Sequence, residues 1–389
     1  MIGLRVGDLV HLLENTFLYS EKSKTFRKFL NMFMGAYSVG TLVVCLLAAI
    51  EGGFKKTMEQ TAFYIVIGII TSAQQVYLLC YQDQVKKMVD ILKGYQEQHV
   101  GKWQTEMFER DSLGVWKVIR YYNMVMGSYN VFYFSLPFVV DLVGGLINPN
   151  FPVVRFPLPS QQYVEDYEPR SWGNVLYSLI GITTGILTIE MNIGIEALIY
   201  ISIIYTKTEL NMIKKKLSII KEVMERKGDN YRMDVVRLMK DVTRHHQSTL
   251  EGLDMMDNIL GFPIAVQNTI YSICFCIDLY VLTIFDSEVK PGPFIVSIFS
   301  LTMMAIILFL FCYIGESLEN TNNEVFEALY DVPWYQEGPQ IRKHLTMMIQ
   351  QANKPFVINY HGMSNLNLHN FMQVINTSYS YFMMLKSTM

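Results

Sequence analysis

Charge is scarce in this chain of 389 residues: Asp, Glu, Lys and Arg make up 17% of it, against 51% hydrophobic residues. Soluble domains carry roughly 25% charged residues, so a water-facing surface over most of the chain is excluded. An excess of one sign is missing too. The net charge of −3 gives no basic footprint for nucleic acid and no attraction for an acidic substrate. Cysteine is sparse and confined. Cys45, Cys80, Cys274, Cys276 and Cys312 all lie inside apolar runs, so no disulfide framework is implied. Cys274 and Cys276 form C-x-C without a His or third Cys nearby; they read as packing residues, and no metal site is expected. Also absent are H-E-x-x-H, a phosphate-cradling glycine loop and a Ser/His/Asp set. The chain is therefore not expected to be an enzyme or to need a cofactor. Residues 1–28 carry Arg5, Lys22, Lys24, Arg27 and Lys28 but no apolar core ahead of a cleavage site. The first apolar run is expected to act as its own insertion signal.

What the chain does have is apolar runs of about 20 residues or more, each long enough to cross a bilayer as a helix. They cover Phe29–Ile50, Thr61–Tyr81, Val118–Ile147, Gly173–Tyr205, Ile259–Phe285, Phe294–Ser317 and Leu366–Leu385. The expected fold is all-α and membrane-integral, with seven transmembrane helices. The segments divide as 1–28 (polar N-terminal segment), 29–205 (helices 1–4), 206–258 (polar anchor helices), 259–317 (helices 5 and 6), 318–365 (a further polar helix and anchor) and 366–389 (helix 7). Of the 32 Lys and Arg residues, 26 fall on one side of these spans and six on the other. The positive-inside bias then puts the N-terminus in the cytoplasm and the C-terminus outside. That orientation opposes a G-protein-coupled receptor, and D-R-Y and N-P-x-x-Y motifs are missing as well. A transporter is disfavoured by the lack of an inverted repeat or paired broken helices.

The long polar connection 206–258 reads as two amphipathic helices. Leu210, Ile213, Leu217, Ile220 and Met224 share one face against Lys214, Lys215 and Lys221. Gly228-Asp229-Asn230 breaks the pattern, and Val235, Leu238, Val242 and Leu253 resume it. These helices suit intracellular association, or lysines lying on the membrane surface. His245 and His246 are expected to be solvated or interfacial. A further helix is predicted over Gln340–Gln351.

In the last span Asn370, Gln373, Thr377, Ser380, Met384 and Ser387 follow spacings of three and four, one face of a helix. All but Met384 are polar. Such a stripe is costly in hydrocarbon unless it meets another helix or water. It is either glue between helices or the wall of an aqueous path, with Met384 as a constriction that gates by dewetting. Inside the other spans Asp141, Glu190 and Asp278 must also face protein or water. Glu190, Asn192 and Glu196 read as structural pairing or a vestibule lining.

Gly315, Ala328, Tyr330, Trp334, Tyr335, Arg342-Lys343, Pro355, Phe371 and the terminal run Ser378–Leu385 resemble the signature of insect odorant receptors. The related gustatory receptors end in a different pattern. The resemblance implies a tuning subunit that forms a heterotetramer with the odorant-receptor coreceptor. It implies a non-selective channel for monovalent and divalent cations, in the plasma membrane of sensory-neuron dendrites. Met384 then matches the gate position and Ser387 the polar position beside it, with Ser380, Thr377 and Gln373 along the pore. The family gate is commonly Val or another aliphatic residue, so Met384 is a departure that keeps the constriction hydrophobic and leaves its diameter open. The odorant region implied is the outer half of the bundle: Tyr64, Ile67, Ile70 and Thr71 of the second span, Tyr133, Phe134 and Pro137 of the third, Tyr177, Ile180 and Thr184 of the fourth, Ile298 and Met303 of the sixth. Aromatic walls with a few hydroxyls suit a small apolar volatile of phenol or indole type. The alternatives are a seven-helix receptor acting through other effectors and a gustatory-type channel.

Overall fold

A computed structural model gives the fold. It describes residues 80–98, 101–147, 172–227, 231–284, 291–354, 358 and 365–388, with scattered positions between 36 and 77; over 129–142, 172–193 and 291–296 it describes backbone alone. These residues form α1 (Gln82–Gln98), α2 (Lys102–Ile147), α3 (Trp172–Arg226), α4 (Tyr231–Ile284), α5 (Pro291–Asp331), α6 (Pro339–Ala352) and α7 (Leu368–Thr388). A 3-10 turn, Trp334–Gln336, links α5 to α6. The fold is that of an all-α membrane protein with seven spanning helices.

Four helices are much longer than a bilayer requires. α2, α3, α4 and α5 have 46, 55, 54 and 41 residues. At 1.5 Å per residue even α5 is about 60 Å long, twice the hydrocarbon thickness of ~30 Å. The cause is in the sequence: each apolar run passes into an amphipathic one with no helix-stopping residue between them. α3 continues through Tyr205, α4 through Asn258 and α5 through Ser317. The divisions at 205/206, 258/259 and 317/318 are changes in side-chain polarity along continuous helices. Among the described residues, the stretches Tyr231–Thr283 and Ser297–Gln336 contain apolar windows long enough to cross a membrane.

The amphipathic halves of α3, α4 and α5, with α6, form a polar-surfaced bundle around a dense core. Leu210, Ile213, Leu217, Ile220 and Met224 of α3 are all buried, as are Val235, Met239, Val242 and Leu253 of α4. Leu318, Val325 and Leu329 come from α5, Val332 from the turn after it, and Ile341, Leu345 and Met348 from α6. Burying one such side chain contributes about 1.5–3 kcal/mol. α3 and α5 run parallel, and three polar pairs mark their register: Lys207 with Ser317 (2.5 Å), Lys214 with Glu324 (2.5 Å) and Lys221 with Asp331 (2.6 Å). Each pair is separated by 110 residues, and successive pairs are a heptad apart on both helices. The buried residues 210, 217 and 224 of α3 keep the same step, as in a coiled coil. The lysines of this face, considered above for a membrane surface, are thus partly engaged by α5.

His245 and His246 depart from expectation: both are buried. His245 Nε2 lies 2.6 Å from Glu209 Oε2 of α3. His246 Nε2 has no hydrogen-bond partner, and burial with the adjacent His245 lowers its pKa from 6.5 to about 4. The reason is that α4 is flanked by α3, α5 and α6, so two side chains about 100° apart can both point into protein.

Pro263 lies inside α4. It has no N–H to give to the carbonyl one turn back, that of Ile259. Tyr77, from the second apolar run, makes up the loss: its hydroxyl donates to Ile259 O at 2.8 Å, and its ring stacks on Phe262 at 5.0 Å. A carbonyl freed by proline in an apolar environment is tolerated when a neighbouring helix supplies such a donor.

Candidate functional site: the exposed face of the last helix

The start of α7 is fixed by α5. Gly315 of α5 lies against Leu366, where a Cβ would meet the Leu366 carbonyl oxygen and come within 2.7 Å of its Cγ. One residue further along, Glu316 Oε2 accepts the Leu368 N–H at 3.2 Å. Asn367 Oδ1 accepts the Asn370 N–H at 3.0 Å. Carboxylate and amide oxygens thus satisfy first-turn donors of α7, which otherwise lack helical partners. Burial and the neighbouring Glu316 raise the pKa of Glu319, which also hydrogen-bonds Asn367.

From that start α7 presents two faces. Asn370, Val374, Ser378 and Phe382, four residues apart, are buried. Val374 packs with Phe275, Leu308 and Cys312, and Phe382 with Cys276 and Tyr280. The polar stripe turns away from these neighbours. Gln373, Ser380, Met384 and Ser387 are exposed, Thr377 is half-buried and Asn370 is buried. That order has a geometric cause. A three-four spacing drifts by about 20° every seven residues. Asn370 stands at the inner edge of the stripe, Thr377 next to it, and Ser387 furthest out. Met384 is 60% exposed.

The hydroxyls on this face bond to their own helix: Ser380 Oγ to Asn376 O (2.9 Å) and Ser387 Oγ to Met384 O (2.8 Å). Gln373 Nε2 lies 3.1 Å from His369 Nε2. Among the described residues none of these side chains hydrogen-bonds another helix of the same chain. The exposed part of the stripe is therefore uncharged and polar, while Asn370 at its inner edge hydrogen-bonds Cys312 of α5.

Of the residues assigned to the odorant region, Tyr64, Ile67 and Thr71 lie outside the described residues. Tyr133, Phe134 and Pro137 fall on α2, and Tyr177, Ile180 and Thr184 on α3, in stretches of backbone alone. Ile70 is buried with Ile270 and Cys274, against Val66, Val266 and Met304. On α5, Met303 is half-buried and Ile298 is 44% exposed. The α5 residues turned inward are Ser297 and Ser300, both buried. Ser300 hydrogen-bonds Asp278 of α4, whose other oxygen, Oδ2, has no partner. The readable signal there was the acid inside an apolar run, which reasoning from span depth did not connect to α5. Glu196 is paired with Gln267 and Tyr271 of α4. Cys274, Cys276 and Cys312 are free and buried.

A family model for the seven-transmembrane odorant receptor matches residues 56–379. Odorant receptor 94a of Drosophila melanogaster is 22% identical over 352 residues, covering 86% of this chain and 83% of that one. Odorant receptor 67c of the same fly is 25% identical over 153 residues, with 39% of this chain and 37% of that receptor covered. Odorant receptor 10 of Aedes albopictus is 19% identical over 214 residues, or 54% and 55% of the two chains. The matches to these last two therefore span about a third to a half of each relative's length. The fold is similar to the olfactory receptor OR5 of Machilis hrabei solved in complex with eugenol, with a TM-score of 0.75 over 99% of this chain and 98% of that one at 10% identity. With its continuous long helices, its packed polar bundle and a family match over most of its length, this chain belongs to the insect odorant receptors, a family of membrane receptors and not of enzymes.

Proposed function

We propose that the chain is an odour-tuning subunit. It binds a small apolar, aromatic volatile in the outer half of the helix bundle. It assembles with odorant-receptor coreceptor subunits into a heterotetramer and opens a non-selective cation channel, with its N-terminus in the cytoplasm of a sensory-neuron dendrite. The observation that carries this reading is the orientation of the α7 stripe. Gln373, Ser380 and Ser387 are exposed away from the protomer's own core, with Met384 as the single apolar member. Around a symmetry axis, such faces line a wetted path with one apolar ring, which closes by dewetting. The self-bonded serine hydroxyls remain able to accept a hydrogen bond from water while needing no partner helix.

Co-expression with a coreceptor, followed by recording of odorant-evoked current, tests the proposal. Current should persist with G-protein signalling blocked. A surface-expressed chain that gives no coreceptor-dependent current to a broad volatile panel would sink it. A panel led by long aliphatic acids would overturn the aromatic ligand class while leaving the channel intact.

A further inference from the structure

The membrane halves of α2, α3, α4 and α5 meet around a carboxylate that no basic side chain pairs with among the described residues. Glu196 of α3 is 5% exposed. Its Oε1 accepts from Gln267 Nε2 at 2.9 Å and from Tyr271 Oη at 3.4 Å, and Gln267 Nε2 also donates to Tyr271 Oη at 2.9 Å. Its Oε2 has no partner. One turn along α3, Tyr200 is 1% exposed, and its hydroxyl is equally without a partner. So is that of Tyr122 on α2, whose ring centroid is 6.2 Å from that of Tyr200. Among the described residues no Lys, Arg or His forms an ion pair with Glu196.

Leaving three oxygens unsatisfied in such a place is costly. Their chemistry selects what would satisfy them. Carboxylate and phenolic oxygens are hard ligands, suited to hard cations. One carboxylate offsets one positive charge, whereas a divalent ion would leave net charge in a low-dielectric interior. The Tyr200 ring is itself held in place by stacking on Phe311 of α5 at 4.5 Å. We propose that Glu196 Oε2, with the hydroxyls of Tyr200 and Tyr122, holds a single monovalent alkali cation that ties α2 to α3 beside α4. The site is separate from the α7 stripe and does not depend on the odorant or pore reading.

Thermal unfolding of the full-length chain, purified in detergent, tests this in sodium or potassium chloride against N-methyl-D-glucamine chloride at equal ionic strength. The midpoint should rise by roughly 2–4 °C in an alkali salt and saturate with its concentration; the sodium and potassium arms identify the preferred ion. Glu196→Gln should abolish the rise. Tyr200→Phe should require several-fold more cation for the same rise. Equal wild-type midpoints in alkali and organic salts overturn the proposal, because a protonated Glu196 would then suffice. A rise that survives undiminished in Glu196→Gln overturns it as well. Should that variant fail to fold, Tyr200→Phe decides, and an unchanged saturation curve counts against the site.

Discussion

Met384 is the only member of the α7 stripe without an oxygen or nitrogen in its side chain, and it is 60% exposed. On the pore reading, shortening it widens the apolar ring. Met384→Ala is expected to raise basal leak several-fold when co-expressed with a coreceptor, whereas Ser378→Ala, on the buried face, should not. An unchanged leak in a well-expressed Met384→Ala channel would remove the residue from the constriction. His246 gives a second prediction. The unfolded chain takes up a proton near pH 6.5, whereas the folded one resists until about 4. Stability is therefore complete above pH 6.5 and falls as acid is added through that window, by about 2 kcal/mol at pH 5. His246→Phe should flatten that part of an unfolding-against-pH curve. Neither the burial of this imidazole nor the Glu209 contact of its neighbour was legible in sequence. Spacing reports which residues share a helix face; it cannot say how many faces of α4 are covered, or that a carboxylate 36 residues away will meet one of them.

The elements gave up more of themselves. Helix existence follows from apolar runs and periodic faces, and the α3 residues expected to share a face are buried together. The signature residues acquire physical reasons only once the helices are packed. Gly315 admits the backbone of Leu366. Arg342 donates to the carbonyls of Tyr335 and Glu337, tying the turn after α5 to α6. Phe371 meets Phe309 edge-on at 5.7 Å. Gly315→Ala is expected to destabilise the α5–α7 junction by about 1–3 kcal/mol and to lower the unfolding midpoint. Gly127→Ala in α2, where a Cβ meets nothing within 4 Å, is the matched control and should not. Tyr77→Phe should cost about 1–3 kcal/mol, because the Ile259 carbonyl that Pro263 leaves free would lose its donor. Thermal unfolding of both variants against wild type checks the pair. Pro263 itself was visible in the sequence, but the donor that compensates for it comes from a residue 182 positions earlier, beyond any local pattern.

At the scale of the whole molecule, averages over long segments were the readable quantities: the count of apolar runs, the imbalance of 26 to six in basic residues and the all-helical class. The continuity of the helices was not readable, since a change from apolar to amphipathic residues looks like a boundary on paper while backbone hydrogen bonds continue across it. The proposed orientation has a direct test. An epitope at the N-terminus should be reached by antibody only after permeabilisation, and one at the C-terminus on intact cells; the reverse pattern would invert the assignment. The register between α3 and α5 bears on how such a molecule moves. If α5 slid along α3 by one residue, Lys207, Lys214 and Lys221 would all lose their partners together, and re-pairing with the next in line requires a step of about 10.5 Å. The two helices are keyed against thrust. On the proposed function, the effect of a ligand near the outer end of α5 is expected to reach Gly315 and the foot of α7 as twist or tilt, so a probe of axial displacement should stay still while one of rotation responds.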